Sequence, residues 1–430
     1  MDELGNLREE IFAKIKEYYL RAHTPKPFVP GETRLHYGGR VFDEREMLAM
    51  VDAVLEFWLT AGRYTREFEE RLSKFLGVRE VIPVNSGSSA NLVAVTTLCS
   101  PQLQDRLQPG DEVITPATTF PTTLAPIVQN RLVPVLMDCE LGTYNLQVND
   151  LERALSQKTR AIFLPHTLGN PAPMDRVVEF AREHRLYLIE DTCDALGSTY
   201  SEQMVGTFGQ LATVSFYPAH HITTGEGGAV YTNNLLLARI ARTLRDWGRG
   251  DGCNSDGEAV PEDGDPDAHY YFTEIGYNLK LTEIQAALGV AQLEKLQSFA
   301  AARRRNFKRL YEGMVRHEGL FILPRWLPQS DPCWFAFPLT VRDQAPFSRA
   351  DLTAYLESRG VETRILFGGN ILKQPGYKDI QCRIIGDLSN AEQVRRGTFF
   401  VGVYPGLDDS RIDYMLESVE DFLRDQVPAG

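Results

Sequence analysis

A chain of 430 residues exceeds what one compact core of ordinary size takes up, so a large unit with a smaller one attached is expected. Hydrophobic side chains at 43% and charged ones at 24% are ordinary for a globular protein and exclude a mostly disordered chain. The balance of 45 basic against 58 acidic side chains leaves a formal charge of -13, which argues against nucleic acid and anionic membranes as partners.

The first residues, MDELGNLREEIFAKIKEYYLRAH, carry charges throughout and no apolar run, so neither a secretory signal nor a span is expected, and a cytoplasmic location follows. Residues 1 to about 22 read as an amphipathic helix, followed by a Pro/Gly-rich stretch from Thr24 to Gly39, which together make residues 1–40 an N-terminal helical arm. From Glu44 to Leu59 the apolar Met47, Leu48, Val51, Val54, Leu55 and Trp58 recur at helical spacing, predicting a helix packed by one face at the start of a large domain, residues 41–298. Short apolar runs then alternate with helical patterns: VIPVNSG, DEVITP, VPVLMD, AIFLPH, LYLIED, ATVSFYP and GAVYTN. Such alternation predicts an α/β fold built on a mostly parallel sheet, with ligands gathered at the strands' carboxyl ends. A loop is expected from Gly250 to Ala268. A long helix from Leu281 to about Gln297 and on to Leu310 leads into a smaller C-terminal α/β domain, residues 299–430, with the runs FAFPLTV and ETRILF. The six cysteines, Cys99, Cys139, Cys193, Cys253, Cys333 and Cys382, are scattered, with neither disulfide-scaffold density nor a CxxC pair, and read mostly as small buried hydrophobes.

Several strand-end segments carry chemistry. Asn85-Ser86-Gly87-Ser88-Ser89-Ala90-Asn91 joins a strand to a helix, where small residues let backbone N–H groups cradle a phosphate; a serine-capped helix start looks the same. Asp191 after LYLIE can pair with a protonated ring nitrogen or cap a helix, and Phe120 in TPATTFPTT can stack on a ring or fill the core. Ser215-Phe216-Tyr217-Pro218-Ala219-His220-His221 is followed by Gly225-Glu226-Gly227-Gly228.

With PHTLGN, EDTCDALGSTY, RDWGR, GYNLKLTEIQAALG and RILFGGN, in order over nearly the whole chain, these segments resemble the DegT/DnrJ/EryC1/StrS sugar aminotransferase family. Within it the resemblance is strongest to the CDP-4-keto-6-deoxyglucose 3-dehydrase branch. It implies the fold-type I aminotransferase-like architecture, a mostly parallel seven-stranded sheet with a smaller C-terminal α/β domain. Where the family shows SFxxxK before GEGG, this chain has SFYPAH, so His220 takes the position of the Schiff-base lysine. Imidazole forms no imine but moves protons near neutral pH, so pyridoxamine 5'-phosphate (PMP) would be held without a covalent link, with His220 as base. The implied reaction is loss of the C3 hydroxyl of a nucleotide-linked 4-keto deoxysugar in deoxysugar biosynthesis.

Carried over residue by residue, Gly87, Ser88 and Ser215 would hold the cofactor phosphate, Asp191 the pyridine nitrogen and Phe120 the ring face. Asp194 and Tyr217 stand where transaminating relatives often have glutamine or histidine, and join His220 as catalytic candidates; His221 reads as structural. Asn278 would reach the phosphate of a neighbouring subunit, implying a homodimer with shared sites. His166, Asn170, Phe367, Gly368 and Asn370 are substrate-side candidates by position. The branch's [2Fe–2S] cluster needs four thiolates, but the matching positions read Cys193, Asp251, Cys253 and Pro261, so no cluster and no metal are expected. A cluster-free relative acting on a GDP-sugar restores its cofactor with glutamate. The other readings are a redox-neutral dehydration of another sugar or nucleoside precursor, a pyridoxal 5'-phosphate (PLP) dependent sugar aminotransferase using Lys280, and a scaffold protein that kept only the fold.

Overall fold

The computed structural model describes residues 3–250 and 271–426. Of the loop expected from Gly250 to Ala268, all but Gly250 lies outside the described residues, as do Asp251, Cys253 and Pro261. The apolar runs become strands whose residues are buried on both faces, as continuous apolar stretches require when helices cover a parallel sheet. Across the main sheet the order is Glu80–Val84, Gly228–Thr232, Leu211–Ser215, Tyr187–Asp191, Thr159–Pro165, Glu112–Pro116 and Val133–Met137. An eighth strand of two residues, Arg383–Ile384, extends the expected seven and pairs in parallel with Val133–Met137. Only Gly228–Thr232 runs antiparallel to its neighbours. A second sheet, antiparallel, takes Phe321–Ile322, Ala336–Val341, Thr398–Gly402 and Arg364–Ile365. Helices Leu296–Met314, Arg349–Ser358 and Asp409–Gln426 pack on it through Phe307, Leu310, Leu352, Leu356, Met415 and Phe422.

Two elements differ from expectation, and the first predicted helix does not. The first predicted helix forms over Glu3–Ala22 with no buried residue, and rests on its neighbour through Arg8, which pairs with Asp52. The helix predicted to Leu59 is Glu44–Glu56, stopped where Phe57 turns left-handed (φ 56°), and Val54, Leu55, Phe57, Trp58 and Leu59 are all exposed rather than packed. The long helix is broken into Glu283–Leu293 and Leu296–Met314. At the break, buried Lys295 turns to meet buried Glu46 at 2.5 Å and Asp43 at 3.0 Å, contacts that the local apolar period does not encode. Among the described residues no helix is long and apolar enough to cross a membrane.

The segment between the first two helices is more than a tether. Leu35 bridges to Val361 beside the second sheet, and Tyr37 N–H donates to Glu362. Gly38 lies so close to Ala219 that an added Cβ would sit 3.0 Å from the alanine methyl. This strap therefore crosses the loop that carries His220.

Candidate functional site

The carboxyl ends of the main strands open into a cavity of about 360 Å³. Ser86 caps the helix Gly87–Leu98, its Oγ accepting from Ser89 N–H at 3.0 Å, so the first turn of an amide-bearing helix end faces the cavity. Two glycines permit this packing. A Cβ on Gly87 would lie 2.5 Å from that of Ser215, and a Cβ on Gly228 would lie 2.5 Å from the Ser86 carbonyl carbon. The GEGG segment thus backs the serine cradle directly, and the Ser215 hydroxyl closes its other side.

Deeper in, Asp191 ends its strand with a carboxylate fixed from three sides. One oxygen accepts from Asn91 Nδ2 at 2.9 Å and Thr123 Oγ1 at 2.7 Å, and the other from Cys193 N–H at 3.1 Å. Thr213 in turn donates to Asn91 Oδ1 at 2.6 Å, which sets which end of that amide faces Asp191. Phe120 stands at the mouth, edge to face with Phe367 at 6.0 Å. An anion cradle, a fixed carboxylate opposite and an aromatic face between them suit a phosphorylated pyridine, and the donor set holds nothing that opposes one.

His220 occupies the cavity wall with Nδ1 3.5 Å from Asp194 Oδ1 and its ring against Phe335 at 5.2 Å. Despite this approach the two do not rest as an ion pair. Burial, with the Asp191 charge adding, pushes Asp194 up to about 7, while burial and the Arg303 cation push His220 down to about 3. Below neutrality the arrangement is a carboxylic acid beside a neutral imidazole. Tyr217 lines the outer wall and is half exposed. Among the described residues that line the cavity there is no lysine. Lys280 lies elsewhere, its Nζ paired with Asp246 and 3.5 Å over the Trp247 ring.

Gly87, Ser88, Phe120, Asp191, Asp194, Ser215, Tyr217, His220 and Phe367 are thus brought together. Others are not. His166 borders the cavity, but its side chain is fully buried: Nδ1 accepts from Ala172 N–H at 3.2 Å, so Nε2 donates to Glu190 at 3.1 Å. Asn170 donates to the Arg325 and Thr143 carbonyls, and Asn370 caps Leu372 N–H. Those three amide and imidazole groups hold loops through these bonds. Gly368 turns left-handed (φ 97°) outside the lining, and Asn278 is exposed and away from its own chain's cavity. His221 Nε2 donates to the Cys333 carbonyl at 2.8 Å and is buried. Tyr37, Arg364, Phe335 and Phe400 also line the wall, and motif reading missed them. Only the Arg364 position, three residues before Phe367, gave a local hint. No group of three or more His, Cys, Asp or Glu among the described residues is arranged to hold a metal ion, and Cys193 is a free thiol at the cavity wall.

Residues 42–420 match the model of the DegT/DnrJ/EryC1/StrS aminotransferase family. The chain is 48% identical over 430 residues, 97% of its length and 92% of the relative's, to dTDP-4-dehydro-2,6-dideoxy-D-glucose 3-dehydratase of Saccharopolyspora spinosa. It is 29% identical over 379 residues, 87% of its length and 97% of the relative's, to GDP-4-keto-6-deoxy-D-mannose 3-dehydratase of Escherichia coli O55:H7. Among solved structures, E. coli GDP-4-keto-6-deoxy-D-mannose-3-dehydratase with bound hydrated PLP superposes with a TM-score of 0.84 at 28% identity, covering 90% of this chain and 99% of that one.

Proposed function

The chain belongs to the DegT/DnrJ/EryC1/StrS aminotransferase family, and from that membership we propose that it is a PMP/PLP-dependent sugar 3-dehydratase acting on a nucleotide-linked 4-keto deoxysugar. The observation that carries the reading is a cavity lined by His220 beside Asp194 and by no lysine among the described residues. When bound, the cofactor would supply an amine for the sugar ketone and an electron-relaying ring for loss of the C3 hydroxyl as water; hydrolysis would release the 3-deoxy ketone and ammonia, leaving the cofactor as its aldehyde, and glutamate would restore the amine.

The protein's residues do the rest. Gly87, Ser88 and Ser215 bind the phosphate, Asp191 orients the ring through its nitrogen, and Phe120 covers one face. With Nδ1 turned to Asp194, His220 offers Nε2 to the cavity, where it takes up a proton as base. The imidazolium then forms 3.5 Å from Asp194, so an ionised Asp194 stabilises it and a protonated one does not. Tyr217 closes the outer wall and limits water.

A homodimer with shared sites belongs to the same reading. It is supported by the exposed run Phe57, Trp58 and Leu59, and by Asn278, which faces solvent rather than its own cavity.

The test is to load the purified protein with PLP, add glutamate, and follow conversion to the pyridoxamine spectrum. A 4-keto-6-deoxy nucleotide sugar is then supplied and C3 deoxygenation is read by mass. A borohydride-reducible imine in the unmodified protein, abolished by Lys280→Ala, would restore the aminotransferase reading.

A further inference from the structure

Arg303 heads the fully buried side chains of the protein, at 1% exposure in the helix Leu296–Met314. No carboxylate among the described residues lies within ion-pair distance of it. A guanidinium withdrawn from water without a counter-ion is a costly choice for a core position, where an apolar side chain of similar length packs at no electrostatic penalty. Its hydrogen bonds show what the position demands. Nη2 donates to the carbonyls of His220 at 2.9 Å and Ala219 at 3.4 Å, and Nη1 to those of Phe335 at 3.0 Å and Trp334 at 3.3 Å.

The two carbonyl pairs belong to segments more than a hundred positions apart in the chain. One is the loop that follows strand Leu211–Ser215 and carries His220; the other is the lead-in to strand Ala336–Val341, which carries the Phe335 ring packed on the His220 imidazole. His221 adds a second tie from the same loop, to the Cys333 carbonyl. A planar fork with two separated N–H pairs matches this task, whereas a lysine ammonium cannot span both pairs.

We infer that Arg303 is the positioning residue of the site: its guanidinium fixes the His220 imidazole at the cavity wall by tying the His220 and Ala219 carbonyls to those of Trp334 and Phe335. The inference rests on the reading of His220 as the base. Burial, with the Arg303 cation adding, keeps the His220 imidazole neutral at rest.

The test compares Arg303→Met, Arg303→Lys and His220→Asn in the full-length, cofactor-loaded protein. Arg303→Met is expected to lower kcat by about a hundredfold, as displaced catalytic groups do, with sugar KM and cofactor affinity within about twofold of the parent. Arg303→Lys, which keeps the charge but not the fork, is expected to lose at least about tenfold in kcat. Independently of turnover, carbethoxylation mapped by mass in cofactor-free protein is expected to label His220 several-fold faster in both variants, and exposed His36 at an unchanged rate. Parent-like kcat in either Arg303 variant overturns the inference, as does a parallel loss of cofactor affinity and KM. If Arg303→Met does not fold, Arg303→Lys decides by the same criteria. If His220→Asn retains turnover, the base reading fails and takes the inference with it. If His220→Asn is inactive while the Arg303 variants are normal, the inference alone fails.

Discussion

At the scale of single residues, Asp194 and His220 exchange the protonation states they have in water. Unfolded at pH 5, the histidine carries the proton and the aspartate does not; folded, the acid carries it and the imidazole is bare. The proton count is the same in both states, so between about 4 and 6.5 the pair adds little pH dependence to stability. Single substitutions uncover the two opposed halves. In Asp194→Asn, His220 remains, and the unfolded state binds the extra proton between pH 3 and 6.5, so the thermal midpoint is expected to rise with pH across that window. In His220→Asn, Asp194 remains protonated in the folded state while the unfolded state has released its proton, so the midpoint is expected to fall from pH 3.8 to about 7. Each arm amounts to roughly 4 kcal/mol, and calorimetry across pH reads both. The rate gives a separate check: kcat/KM is expected to climb through about pH 7 as Asp194 ionises, and Asp194→Asn is expected to lack that limb. A parent profile flat from pH 6 to 8 would remove Asp194 from the mechanism.

At the scale of elements, what was legible in the sequence is what is local. The seven apolar runs announce their strands because each is buried along nearly its whole length, and the candidate residues sit where those runs stop: Asp191 and Ser215 each close a strand, and His166 follows one. Contacts between distant segments left no such trace. Lys295 and Glu46 are 249 positions apart, and nothing in the apolar period around Lys295 reveals the break they impose. Tyr37 reached the cavity from a Pro/Gly-rich stretch without periodicity, held by Glu362 across 325 positions. The His166 bond to Glu190 was hidden for a related reason, since register at a strand end says nothing of the buried carboxylate beneath it. The glycine contacts supply a test at this scale. Gly228→Ala forces a methyl against Ser86 and Gly87 backbone, an overpacking expected to cost about 1–3 kcal/mol and to weaken cofactor binding more than the fold. Denaturation measured with and without PLP separates the two effects.

At the scale of the whole molecule, the exposed run at Phe57 to Leu59 is where a single chain looks incomplete. Phe57→Asp alters a residue that is 74% exposed and already left-handed, a conformation aspartate tolerates, so the lone subunit is expected to fold as before. If this run seals a shared-site homodimer, sedimentation is expected to show monomers and turnover is expected to vanish while circular dichroism stays unchanged. An unaltered assembly would move the interface elsewhere.

The strap at Leu35 to Gly39 also bears on the order in which the protein comes into being. Its neighbours Ala219, Val361 and Tyr404 all lie far downstream of it and are made later. The strap can therefore take its place across the His220 loop only after segments far downstream of it have been made. A chain that stops short of residue 361 lacks the Val361 and Glu362 contacts that seat Tyr37 at the cavity wall.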